Sequence, residues 1–127
     1  MDAVHVDAIL DTSVIIELFK GNERILERLS KNDFVYGISA ITLFELYCGS
    51  LKEKEKVFLE RIPKIEFEEN AAKLAGMIYR DLRSKGKLPK VKDLLIASSS
   101  IAKSKKLFAC DTDFKLFETY GLKLEIL

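Results

Sequence analysis

The sequence predicts an α/β fold, a three-layer α/β/α sandwich with a mainly parallel sheet of about five strands. Three observations point to it. Apolar runs of strand length alternate along the chain with segments of helical spacing, the pattern of strands joined by helical crossovers. The first run, 7–10, opens on Asp7 and continues apolar through Ala8, Ile9 and Leu10, and it reads as a buried strand. Late in the chain a helical segment carries Ala97, Ser98, Ser99 and Ser100, residues small enough to let a helix pack closely on a sheet.

The elements follow in order. After strand 7–10, residues 14–19 form a short helix closed by Gly21, and 23–31 a second with Ile25, Leu26 and Leu29 on one face. "FVYGIS" (34–39) is β-rich and leads into a helix over 40–48, stopped by Gly49. A charged helix over 52–61 ends before Pro63, and "KIEF" (64–67) is a short strand. Glu66, Glu68 and Glu69 decorate the start of the next helix. That helix, 69–85, has Ala71, Leu74, Ala75, Ile78 and Leu82 at 3/4 spacing and Gly86 at its C′ position. "KGKLPKV" is a basic loop, 93–105 a helix, 107–110 a strand, 112–119 a short helix and 122–126 a last strand.

With 127 residues and 48% apolar composition, the chain is expected to be one domain, 1–127, with a real core. No apolar run reaches the ~18 residues of a membrane span. "MDAVHVDAIL" carries acids where a signal peptide carries lysines, so a cytoplasmic protein is expected. Cys48 and Cys110 are expected to be buried, reduced thiols; with His5 they are too few for a zinc site. The net charge of +1 implies no nucleic-acid partner by itself. Its distribution says more: residues 80–106 hold nine basic residues against two acids, a stripe suited to phosphate or to a solvated helix face.

In a parallel sheet the strand C-terminal ends share one edge. Asp11 follows strand 7–10 and Asp111 follows strand 107–110. Glu45 lies about a turn into the helix after strand 34–39. Asp93 opens the helix that runs back to strand 107–110, so its start also reaches that edge. Four acids spread over a hundred residues thus converge. Each has a plain alternative: Asp11, Asp93 and Asp111 sit where N-caps belong, and Thr42 with Glu45 matches a capping box. Capping explains the helix starts without explaining why acids were chosen each time.

Crowded carboxylates raise one another's pKa unless a cation joins them, and oxygen-only ligands suit Mg²⁺ or Mn²⁺. Such a centre binds phosphate oxygens and activates water for in-line attack, so metal-dependent phosphodiester hydrolysis is the leading expectation. Other chemistries are poorly supplied. One histidine excludes a two-histidine ribonuclease mechanism, and no P-loop, G-x-S-x-G or C-x-x-C is present. A phosphoacceptor receiver domain needs an aspartate after the third strand, where "KIEFEEN" offers glutamates.

"LDTSVIIEL", "ISAITLFEL" with Glu45, "KDLLIASS" with Asp93 and "ACDTDF" with Asp111 resemble, in order and spacing, the PIN-domain ribonucleases, most closely the VapC-type toxins of toxin–antitoxin pairs. The resemblance implies a parallel α/β/α sandwich that cleaves RNA with Mg²⁺ or Mn²⁺. It makes Asp11, Glu45, Asp93 and Asp111 the catalytic acids, with Asp11, Asp93 and Asp111 as metal ligands and Glu45 handling the attacking water. Ser13 would hydrogen-bond at the site, and Asp113 would join it or brace the loop. It further implies a homodimer and a cognate antitoxin. Two departures stand out: Ala109, where relatives often carry a hydroxyl, and Lys92 directly before Asp93, placed to contact phosphate or solvent. A PIN nuclease that processes ribosomal RNA and a non-catalytic acidic binding module are the alternative readings.

Overall fold

The computed structural model describes residues 5–127. Its elements are β1 (Ala8–Leu10), α1 (Thr12–Phe19), α2 (Glu23–Ser30), β2 (Tyr36–Ser39), α3 (Ala40–Tyr47), α4 (Glu53–Arg61), β3 (Lys64–Ile65), α5 (Glu69–Ser84), α6 (Val91–Ala102), β4 (Lys106–Ala109), a 3₁₀ segment (Thr112–Tyr120) and β5 (Leu124–Ile126). The five strands form one all-parallel sheet in the order β3-β2-β1-β4-β5.

Residue alternation divides the core into two layers. Ala8 and Leu10 of β1, Ile38 of β2 and Phe108 of β4 face one side. There Val14 and Ile15 of α1, Ile25 and Leu29 of α2, Leu46 of α3 and Leu59 of α4 cover them. Ile9, Leu107 and Ala109 face the other side, under Ala75, Ile78 and Leu82 of α5 and Leu94, Ile96 and Ala97 of α6. This is the three-layer sandwich that the alternation of elements predicts. Burying a large aliphatic or aromatic side chain is worth roughly 1.5–3 kcal/mol, so the strand residues at full burial anchor both layers.

Several boundaries differ from expectation, each for a local reason. Helix α1 starts at Thr12 because Asp11 caps it, accepting from the Ser13 N–H. Helix α6 starts at Val91, directly after the extended Lys90 that follows Pro89, so Asp93 lies inside its first turn. Helix α3 is capped by Ser39, whose Oγ accepts from the N–H groups of Ile41 (2.9 Å) and Thr42 (3.4 Å), leaving Thr42 within the helix. Residues 112–120 wind as a 3₁₀ helix. Its period of 3.0 stacks Phe114, Phe117 and Tyr120 along the face that packs on the core. The stretch 64–67 pairs only through Lys64 and Ile65. Cys48 is exposed and Cys110 half-buried, which corrects the expectation of two buried thiols; both are free. No helix among the described residues is long and apolar enough to cross a membrane.

Candidate active site

The strand order reverses direction between β1 and β4, so their C-terminal ends bound the crevice where open parallel sheets place ligands. The Asp11 N–H donates to the Phe108 carbonyl (2.9 Å), tying the end of β1 to β4. Asp11 is 4% exposed, and its Oδ2 accepts from both the Ser13 N–H (3.1 Å) and the Ser13 hydroxyl (2.6 Å). Ser13 Oγ in turn accepts from the Cys110 N–H (3.1 Å), so one hydroxyl couples Asp11 to the chain that leads into Asp111. Asp111 caps the 3₁₀ segment, its Oδ1 accepting from the Asp113 N–H (2.8 Å). That bond braces Asp111 from the following turn, while Ala109 is wholly buried in the core.

Glu45 comes from the second turn of α3. Its Oε1 accepts from the Thr12 hydroxyl (2.7 Å), and Thr12 Oγ1 lies 3.0 Å from the buried Thr42 Oγ1. In the sequence Thr42 stands out only as half of a capping box with Glu45, and Thr12 not at all. The available signals are local: Thr12 adjoins Asp11, and Thr42 stands one helical turn before Glu45.

Asp93 completes the set from the first turn of α6. One carboxylate oxygen from each of Asp93, Asp111 and Asp113 lies within 4.8 Å of the others. Asp113 thereby moves from a secondary position into the tightest group. Asp11 stands outside this trio but close enough to act on it. Burial pushes the Asp93 carboxyl up to about 6, with the charges of Asp11 and then Asp111 adding to the effect. Burial also raises Asp11, against the lowering effect of the Ser13 hydrogen bonds, and the Glu45 charge adds to the rise. Asp93 therefore registers Asp11, Asp111 and Glu45, and Asp11 registers Glu45, across four separate parts of the chain.

Capping accounts for only part of this. Asp11 and Asp111 do cap, but Asp93 and Glu45 do not: the N-caps of their helices are Lys90 and Ser39. The Thr42–Glu45 capping box is absent because Thr42 is the third helical residue. Asp93 has no capping role, and burial disfavours its charge, a tension that a cation beside it would relieve. The donors are all hard oxygens, matching Mg²⁺ or Mn²⁺ rather than a thiophilic ion. The residues fit the group.

The basic stripe divides. Lys106 begins β4 at the edge opposite the acids and pairs with Glu125 (2.7 Å), while Lys103 at the end of α6 pairs with Glu68. About 18 Å of helix, twelve residues at 1.5 Å each, separates them from the start of α6. Lys90 and Lys92 are at the site: Lys90 Nζ donates to Asp113 Oδ2 (2.9 Å), and Lys92 Nζ lies 3.9 Å from Glu45 Oε2.

A parallel α/β/α sandwich with acids gathered at its switch point defines a class of domain built to hold a divalent cation at the sheet edge. Within that class, the chain belongs to the PIN domain family, whose model matches residues 8–119. Its relatives include Ribonuclease VapC3 of Methanocaldococcus jannaschii, 50% identical over 92 residues, which are 72% of this chain and 96% of that protein. Ribonuclease VapC1 of the same organism is 31% identical over 121 residues, 91% of this chain and 85% of that one. Among solved structures, the DNA-bound VapBC from Salmonella typhimurium matches with a TM-score of 0.78 at 27% identity. The match covers 96% of this chain and 98% of that one.

Proposed function

We propose that this protein is a metal-dependent endoribonuclease, hydrolysing RNA phosphodiester bonds with Mg²⁺ or Mn²⁺, and the toxin of a toxin–antitoxin pair. The observation that carries it is the meeting of Asp11, Glu45, Asp93 and Asp111 at the sheet switch point, with Asp93 held up at about 6 by burial and by its neighbours. The ribonuclease relatives support RNA as the substrate.

Asp93 and Asp111, with Asp11 beside them, would hold the cation, and Asp113 joins as a fourth candidate ligand. When bound, the ion neutralises phosphate oxygens and lowers the pKa of water. The protein supplies the orientation. Ser13 fixes the Asp11 carboxylate through two hydrogen bonds, leaving it no freedom to swing off the crevice. Thr12 holds Glu45 by Oε1, which leaves Oε2 to orient the attacking water and take its proton. Burial of Asp11 keeps bulk water from competing for that carboxylate.

The antitoxin belongs to the proposal because structural relatives were solved as VapBC complexes. An open apolar groove between α1, α2 and α4, lined by Leu18, Leu26, Val57 and Phe58, is a surface that an amphipathic partner segment would cover. A single domain over 1–127, a homodimer and a cytoplasmic location complete the reading; sedimentation of the purified protein checks the dimer.

The test is cleavage of end-labelled RNA with Mn²⁺ by the wild type beside Asp11→Asn and Asp93→Asn. Both variants should fold and lose cleavage by at least a hundredfold, and wild-type expression should arrest growth where theirs does not. Full activity in either variant sinks the reading. A protein that gains no stability from Mn²⁺ would instead be a binding module.

A further inference from the structure

Lys90 and Lys92 both precede Asp93, in the N-cap and first turn of α6, and reach different members of the acid cluster. Lys90 is bound to Asp113, one of the three most tightly grouped carboxylates. Lys92 approaches Glu45 at 3.9 Å, the outer limit of an ion pair, with its ammonium 5.9 Å from the centroid of the Phe44 ring. Each lysine therefore sits on an acid that the proposed function commits to other work. Asp113 has a cation to share, and Glu45 has a water to hold.

These pairs are easy to break. The lysine side chains are 71% and 56% exposed. Exposed ion pairs of this kind are weak and screened by solvent, so their release is a small cost beside binding a polyanion. Once Asp113 and Glu45 are engaged, two mobile ammonium groups remain at the mouth of the crevice. An RNA strand brings a phosphate on each side of the one being cut. Lysine, a point charge on a flexible stem, suits a backbone contact that reads no base.

We propose that Lys90 and Lys92 are substrate-positioning cations. Parked on Asp113 and Glu45 in the free protein, they transfer to the RNA phosphates flanking the scissile bond when those carboxylates take up their functional roles. This rests on the ribonuclease reading above and adds to it the residues that grip the strand. It also gives the lysines opposite effects on the two ligands. They compete with a divalent ion for the acids and cooperate with it in holding RNA.

The experiment compares the wild type with Lys90→Gln/Lys92→Gln and Lys90→Arg/Lys92→Arg. Binding of a 12-nucleotide single-stranded RNA in Mn²⁺ is read by fluorescence anisotropy over a range of KCl concentrations. All three carry Asp11→Asn there, so that the strand stays intact. The glutamine pair should bind at least tenfold more weakly. Its dependence on log salt should be shallower by about 1.4, two contacts at about 0.7 each for single strands, and the arginine pair should recover most of the loss. In the active background the glutamine pair should raise KM with kcat within about threefold. Calorimetry without RNA should show Mn²⁺ binding as tight as in the wild type or tighter. RNA affinity and salt slope unchanged within twofold would overturn the proposal and leave the lysines as counter-ions of the acid cluster, whatever their effect on melting temperature. Failure of the wild type to cleave overturns the ribonuclease reading instead, and the anisotropy arm still judges the lysines.

Discussion

Asp93 concentrates the electrostatic tension of the site. Its folded carboxyl titrates at about 6 against an ordinary value of 3.8, so the fold binds a proton there that the unfolded chain has released. With both states ionised at neutral pH the penalty is fully present. It is relieved as pH falls through 6 toward 4, and this residue therefore makes the metal-free protein more stable in mild acid, the opposite of a salt-bridged aspartate. Asp93→Asn should accordingly raise the metal-free melting temperature at pH 7 and flatten its change between pH 7 and 5, while removing activity. The same proton competes with a divalent ion, so wild-type Mn²⁺ affinity by calorimetry should fall below pH 6, about tenfold per unit for one displaced proton. Elsewhere, Ser98 Oγ is buried with no hydrogen-bond partner among the described residues, whereas Ser99 and Ser100 bond the carbonyls of Leu95 and Ile96. Ser98→Ala should therefore stabilise the protein, by about 1 kcal/mol in a denaturant titration.

At the scale of elements, the site depends on how helices begin. Ser39 closes β2, is wholly buried and caps α3, and the position of Glu45 follows from that start. Ser39→Ala should cost about 1–2 kcal/mol for the lost cap, measured by chemical denaturation, and should lower kcat by freeing the α3 N-terminus. The turn from α4 into β3 is equally constrained. Pro63 O accepts from the Ile38 N–H (3.0 Å), and a Cβ on the neighbouring Gly37 would stand 3.0 Å from that oxygen and from Val6 Cγ2. The oxygen is held by a sheet-edge bond and cannot retreat freely. Gly37→Ala should thus destabilise by about 1–3 kcal/mol, with a lower melting temperature as the readout.

For the whole molecule, the acids arrive from the end of β1, α3, α6 and the turn after β4, so a bound ion would tie together parts distant in sequence. Its binding energy would then be folding energy. Mn²⁺ at a hundred times its dissociation constant should add about 2.7 kcal/mol to stability, and EDTA should abolish the gain. An unchanged melting temperature across that titration would speak against a shared ion. The two apolar layers resist opening of the crevice from either side, because α3 is fixed on one face of the sheet through Leu46 and α6 on the other through Leu94, Ile96 and Ala97.

The order and type of the elements, the parallel sheet and the four acids are all readable in the chain, because each follows from local pattern plus the rule that strand C-terminal ends share an edge. The PIN membership is readable too, in the ordered set around Asp11, Glu45, Asp93 and Asp111. What the sequence could not decide is which acid does what beside its neighbours. Asp93 looks like a cap until Lys90 is seen to hold that position, and Asp113 looks secondary until the 3₁₀ turn brings it beside Asp93. Thr12 on Glu45 and the lysines on Asp113 and Glu45 are likewise contacts between separate elements. Local propensity fixes where a helix starts to within a turn. The few ångströms that decide a shared ligand or a displaced pKa are set by packing α3 and α6 on opposite faces of one sheet.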